Sequence, residues 1–410
     1  MSRRSIVIVG AGHAGVQAAA SLREEGSDDA IVLLSAEPDL PYQRPPLSKA
    51  FLKGQMDRAG LPLRAEQFYR DKAIDLRLGV AATRIDLAAR RVELASGPAE
   101  PFDHLILATG ARPRPFVVPG AELEGVLGLR NIADAATIRE RLGAGRRVVV
   151  IGAGFIGLEI AATALTLGGE VTIVEIARPL GRAVSPPTSD FFLDAHVVFG
   201  ARFRLGVGVA AIEGAAGAVS AVALSDGERV PADLVIVGVG VLADDRLARA
   251  AGLACGDGIL VDDRLVASDP AVSAIGDCAQ FPQHSVGKLL RLESVQNATD
   301  QARAVARRLT GKPEAYAALP WFWSDQGDLK LQIAGLSHGV DRWVVRGEPK
   351  QRAFAVFGFR GDKLAAVETI NRGAEHMAAR RIIGGGLPIN PLEAADPAFD
   401  LRKLALSAKA

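Results

Sequence analysis

Two short glycine turns carry the first chemistry legible in this chain: Gly10-Ala11-Gly12-His13-Ala14-Gly15 and Gly152-Ala153-Gly154-Phe155-Ile156-Gly157. The three glycines of such a turn have separate duties. The first allows a tight reversal, the second lets backbone approach a pyrophosphate, and the third lets a helix pack closely on a strand. Phosphate oxygens then meet free amides at a helix N-terminus. Two copies imply two bound dinucleotides. An acid roughly 20 residues further on completes such a site by accepting a ribose hydroxyl. Glu175 closes the run Val171-Thr172-Ile173-Val174 at about that distance from the second turn. Its charge repels a 2′-phosphate and so favours NADH over NADPH, although the nearby Arg178 leaves room for the phosphorylated form. After the first turn the equivalent acid is Glu37, which reads either as a ribose ligand or as a solvated loop carboxylate.

The elements that must position these turns follow from their surroundings. Ser5-Ile6-Val7-Ile8-Val9 and Val148-Val149-Val150-Ile151 are β-branched runs of buried-strand character, and an Ala/Leu-rich stretch of helical period follows each turn. Strand, glycine turn and helix open a doubly wound α/β unit. Phe102 to Gly110 reads as a strand ending in small residues, and Arg112-Pro113-Arg114-Pro115 after it as a crossover between domains. Pro231 to Gly240 repeats that design and marks the return. Ala271 to Asp277 is a further strand whose terminal aspartate is expected beside whatever the first unit binds. From Leu319-Pro320-Trp321-Phe322-Trp323 onward, alternating stretches such as Leu329-Lys330-Leu331-Gln332-Ile333 predict a separate antiparallel α+β domain.

Composition agrees with a soluble α/β protein of two or three domains: 410 residues, 49% hydrophobic, with 44 glycines to serve many tight turns. A net charge of +1 gives no global pull toward nucleic acid or an acidic membrane surface. Met1-Ser2-Arg3-Arg4 before an apolar run mimics a secretion signal, but the run is short and passes straight into the glycine turn. No apolar stretch reaches the roughly 18 to 20 residues of a membrane span. A cytoplasmic location is expected. Cys255 and Cys278 are far apart, which encodes neither a redox disulfide nor a metal cluster; Cys278 reads as a small buried thiol or as a neighbour of the cofactor. Six scattered histidines have no metal-ligand spacing.

Taken in order, GAGHAG, PYQRPPLSK, LILATGARPR, VVVIGAGFIGLEIAA, LVIVGVGV, AIGDCA, ESVQNATDQA and PWFWSDQG make the chain resemble, from end to end, the FAD- and NADH-dependent ferredoxin reductases of cytochrome P450 and aromatic-ring oxygenase systems. The resemblance implies a glutathione-reductase-like fold. An FAD-binding domain over 1–111 and 241–318 is interrupted by an NAD-binding domain over 112–240, and a C-terminal α+β domain covers 319–410. Where related disulfide reductases carry a cysteine pair, this chain reads Pro45-Pro46-Leu47-Ser48-Lys49, so disulfide chemistry is not expected.

By the same resemblance Lys49 lies beside the flavin, where a fixed ammonium favours the electron-rich form. Glu159 marks the nicotinamide pocket and pairs with Lys49; an acid early in a helix also suits the macrodipole without further duty. Arg130 contacts FAD, Asp277 accepts from the ribityl chain, Val295 lies near the pyrimidine end, and Trp323 sits at the flavin edge. FAD contacts are further expected from Gly10, Gly12, His13, Ala14, Gly15, Glu37, Arg44, Pro45, Ala82, Ala108, Thr109, Gly110 and Gly276. Contacts to NAD are expected from Gly152, Gly154, Phe155, Ile156, Gly157, Glu159, Glu175, Arg178, Val239 and Gly240. A flavin suits the task because a nicotinamide gives up two electrons together while an iron-sulfur protein takes one at a time. The implied partner is a [2Fe-2S] ferredoxin, and through it a cytochrome P450 or ring-hydroxylating oxygenase, with the reductase a monomer or weak homodimer. Arg303, Arg307 and Arg308 read either as a docking patch for an acidic partner or as a solvated helix face. A rubredoxin reductase or NADH oxidase shares most of these motifs. A binding protein of the apoptosis-inducing-factor type is the alternative of another class.

Overall fold

The computed structural model describes residues 3–407. The chain divides into two compact units, one formed by residues 1–43, 58–112 and 241–318, the other by 44–57, 113–240 and 319–410. Each is built around a parallel five-stranded sheet.

In the first unit the spatial order is Val272–Ala274, His104–Leu107, Ser5–Val9, Ala30–Leu34, Ile74–Arg77. Every pairing is parallel. Sheets of this kind are covered on both faces, which is why these strands are continuous apolar runs: Ile6, Val7, Ile8 and Leu105 to Leu107 are fully buried. Chain order reverses at Ser5–Val9, the position where open α/β sheets form a crevice beyond the carboxyl ends of their strands. The helix His13–Glu24 leaves from that point. It buries Ala18, Ala19 and Leu22 and packs along the helix Val295–Leu309.

The second unit repeats the arrangement as Arg202–Leu205, Glu170–Glu175, Arg147–Ile151, Leu234–Val237, Val126–Gly128, again parallel throughout. Here the helix after the reversal point is Phe155–Thr166. The tail forms a five-stranded antiparallel sheet in the order Trp321–Gln326, Leu329–Gly335, Lys363–Ile370, Ala353–Arg360, Arg342–Glu348, with the helix Gly373–Gly384 among those covering it. Phe357, Phe359, Val367, Ala379 and Ile382 fill the space between.

Alternating sequence suggests one wet sheet face, yet Phe354 to Gly358 are all buried. The other face is covered by the helix Pro186–Val198, through the Phe191 ring 4.9 Å from Phe354. Boundaries at 111/112, 240/241 and 318/319 are therefore boundaries of motif and composition. By packing, the tail and the second parallel sheet belong to one unit.

Candidate functional site

The two glycine turns have the same geometry. Gly10 has φ +105°, and a Cβ on it would lie 2.3 Å from the Ala108 carbonyl oxygen; one on Gly15 would lie 1.9 Å from the Gly10 oxygen. Gly152 and Gly157 repeat this against Gly238 and Gly152, at 2.5 and 2.1 Å. These four glycines are required by the chain's own packing. Gly12 and Gly154 are not. Their φ values are −78° and −76°, open to any residue, and a Cβ on either would meet nothing within 4 Å. Each is the N-cap of its helix, and neither helix has a side-chain cap. An uncapped helix start facing empty space across a glycine the fold does not need fits a dinucleotide pyrophosphate.

Around the first turn the structure gathers Ala108, Thr109, Gly110, Gly276 and Asp277. Thr109 Oγ1 donates to the Asp244 carbonyl at 2.6 Å, and Gly110 accepts from the Asp244 amide at 2.9 Å. Gly276, at φ +73°, would bring a Cβ to 3.1 Å from that of Ala14, so Gly276–Cys278 lies against the helix start. Val295 begins the helix whose N-cap, Ser294, accepts from the Asn297 amide. Glu37 stands beyond the neighbouring strand, its carboxylate accepting from Tyr42 Oη at 2.5 Å, while Ala82 opens the strand Ala82–Asp86. Cys278 is fully buried and burial pushes its thiol up, in keeping with a small core thiol. Among the described residues no His, Cys, Asp and Glu group is placed to hold a metal.

At the second turn, Glu175 accepts the Ala153 amide on one carboxylate oxygen at 2.8 Å and the Ala177 amide on the other at 2.9 Å. Both oxygens are thereby fixed beside the glycines and keep lone pairs for hydroxyl donors. Arg178 is paired with Asp190. The Phe155 ring lies 4.5 Å from that of Phe322, and Ile156 is exposed. Val239 and Gly240 follow the Gly238 carbonyl that packs on Gly152.

Arg44, Pro45, Lys49, Arg130 and Trp323 lie in the second unit. Arg44 Nη1 donates to the Arg130 carbonyl at 2.5 Å. The turn Pro45–Ser48 brings Lys49 Nζ to 2.7 Å from Glu159 Oε2, with the side chains only 18% and 6% exposed. A carboxylate this deeply buried needs every donor it can find. Glu159 Oε2 also accepts Ser48 Oγ at 2.5 Å, and Oε1 accepts Ser324 Oγ at 2.6 Å. One turn along the same helix, Thr163 Oγ1 donates to the Ser48 carbonyl at 2.9 Å. The acid is therefore held by three side chains rather than serving only the helix dipole. Trp321 and Trp323 share a strand face, their rings 5.6 Å apart. Sequence reasoning missed Ser48 and Ser324. Ser324 alone left a signal in the motifs: Ser324 and Gln326 recur at strand period on the face opposite Trp323, a polar pair where a buried strand should be apolar.

The fold and glycine cradles define a dinucleotide-dependent oxidoreductase, and comparison with known proteins agrees. Residues 4–302 match the pyridine nucleotide-disulphide oxidoreductase family and residues 321–405 the reductase C-terminal family. The chain belongs to the pyridine nucleotide-disulphide oxidoreductases, in their FAD- and NAD(H)-dependent ferredoxin reductase branch. It is 48% identical to rhodocoxin reductase of Rhodococcus erythropolis, over 98% of this chain and 94% of that protein. The crystal structure of the ferredoxin reductase for the CYP199A2 system from Rhodopseudomonas palustris has a TM-score of 0.96 at 48% identity, covering 98% of this chain and 100% of that one. The covalent putidaredoxin reductase–putidaredoxin complex matches with a TM-score of 0.97 at 41% identity, both chains being fully covered.

Proposed function

We propose that the protein is an NADH:ferredoxin reductase whose acceptor is a [2Fe-2S] ferredoxin serving a cytochrome P450 or ring-hydroxylating oxygenase. The observation that carries this reading is the buried Lys49–Glu159 pair, whose lysine ends the segment Pro45–Lys49 that carries no cysteine. Bound FAD supplies the conversion between two-electron donation by NADH and one-electron delivery to the acceptor.

The chain's own residues have narrower tasks. Gly12 with the amides of its helix, together with Thr109 and Asp277, holds FAD. Gly154 and its helix hold the NADH pyrophosphate. Lys49, fixed by Glu159, presents a positive charge toward the reduced ring system, and Trp323 shields its edge. Glu175 accepts the adenosine ribose hydroxyls, and because Arg178 is committed to Asp190, a 2′-phosphate meets a carboxylate without a dedicated cation. The names of the relatives, a rhodocoxin reductase, a ferredoxin reductase for a CYP199A2 system and a putidaredoxin reductase bound to putidaredoxin, support the acceptor class. We place the protein in the cytoplasm, as a monomer or weak homodimer.

An anaerobic NADH titration followed by absorbance, with a plant-type [2Fe-2S] ferredoxin added at the end, tests the reading. Flavin bleaching and rapid ferredoxin reduction are expected. Bleaching without onward transfer would move the acceptor to another class such as rubredoxin, and no bleaching would refute the NADH assignment.

A further inference from the structure

Glu159 is the end of a longer chain of buried polar groups. Its Oε1 accepts Ser324 Oγ–H at 2.6 Å. A serine hydroxyl has one proton, so with that proton given to the carboxylate its oxygen only accepts. It accepts Gln326 Nε2–H at 3.2 Å. The Gln326 carbonyl oxygen, now fixed on the far side, meets His196 Nε2 at 2.8 Å. An amide oxygen cannot donate, so His196 must carry its proton on Nε2. Burial holds its pKa below the ordinary value, against the opposing pull of Gln326, and keeps the ring neutral. Ser324, Gln326 and His196 are all completely buried. Turning the Gln326 amide over would set its oxygen against a Ser324 oxygen with no proton left to give. The whole row therefore points one way, each N–H or O–H toward Glu159.

We infer that Ser324, Gln326 and His196 are positioning residues for the Lys49–Glu159 pair: a one-directional relay, running from the helix Pro186–Val198 through the strand Trp321–Gln326, that fixes the carboxylate on which Lys49 depends. Donors aligned in this sense polarise one another and strengthen the last bond, the one to Glu159. The relay accounts for two otherwise unexplained features. Two polar residues occupy a buried strand face, and a neutral histidine lies among the rings of Phe199 and Phe203 with its Nδ1 unpartnered. It also gives the tail a chemical duty beyond Trp323, because the donor to Glu159 Oε1 comes from the tail. The inference rests on the reading that Lys49 and Glu159 serve the flavin and nicotinamide.

The test uses purified holoprotein and five variants, S324A, S324T, Q326M, E159Q and H196Q. In protein labelled with 15N-histidine, with H196Q to assign the signal, His196 should be the Nε2–H tautomer; the Nδ1–H tautomer would overturn the relay. The flavin midpoint potential should fall in S324A, because a carboxylate with fewer donors is less compensated and disfavours added electrons, and it should rise in E159Q, which removes the charge. Flavin reduction by NADH should slow about tenfold in S324A, the weight of one charge-assisted hydrogen bond, with KM for NADH unchanged. Q326M should move both readouts in the direction of S324A by a smaller amount, and S324T should restore them. If S324A and Q326M lower only the melting temperature while E159Q moves potential and rate, the relay is refuted and the reading of Glu159 stands. If E159Q moves neither, that reading falls with it.

Discussion

At the scale of single residues, cofactor choice turns on how Glu175 is held. Two amides of its own turns fix both carboxylate oxygens, so it is oriented before any ribose arrives. Substituting Gln at this position keeps the size but turns one oxygen into an NH2 group facing a backbone donor. Glu175→Gln should therefore weaken NADH binding by roughly tenfold or more, the cost of a charge-assisted hydrogen bond, and leave NADPH binding unchanged or improved. Adding Asp190→Asn, which releases Arg178, should raise NADPH affinity further. Equilibrium titrations with both nucleotides check this; an unchanged ratio would mean that the ribose contact is misassigned. The Lys49–Glu159 pair was legible from motif position, and the Ser324/Gln326 alternation was there to be read, whereas Ser48 and His196 were not. Their partners lie 111 to 130 residues away for the Ser48–Glu159 and His196–Gln326 bonds, and pairs so distant leave no local periodicity to read.

Secondary-structure elements were the most legible level. A β-branched run, a glycine turn and an Ala-rich helix are local patterns, and the structure forms both units as read; that each first strand is also where its sheet reverses order is a fact of topology the local patterns do not state. What the sequence did not disclose was the second cover of the tail sheet. That depends on Phe191 against Phe354 and on Glu368, whose carboxylate accepts the Ser185 amide at 2.7 Å and Ser185 Oγ at 2.6 Å. The glycine turns give a prediction at this level. Gly12→Val should fold with a melting temperature near that of the parent, because its backbone angles and surroundings tolerate a side chain, but it should purify with little flavin. Gly15→Val should fail to fold, since its Cβ would overlap the Gly10 carbonyl. A yellow Gly12→Val protein with full flavin content would show that the first turn does not hold FAD.

Across the whole molecule, buried histidines set the response to acid. Burial, reinforced by Arg308, pushes His104 down to about 3, and burial with Arg380 nearby pushes His376 down to about 4; His196 is lowered as well. An unfolded histidine titrates near 6.5, so below that pH the unfolded chain takes up protons that the native one refuses. This contribution is complete above about pH 6.5 and is lost as pH falls toward the native values, at up to about 1.4 kcal/mol per pH unit for each ring. Denaturant midpoints should decline steadily from pH 6.5 to 4.5. His376→Leu should flatten that decline at little cost at pH 8, since neither of its ring nitrogens has a hydrogen-bond partner; an unaltered slope would discount its share. The split course of the chain also matters for its birth on the ribosome. His104–Leu107 pairs with Val272–Ala274, which is made 165 residues after Leu107, so the nascent first sheet keeps a bare, apolar edge for roughly ten to thirty seconds at synthesis rates of about 5–20 residues per second. Through that interval the growing protein carries an open template for strand addition, and its yield in a cell depends on chaperones or on a sheet slow to accept strangers.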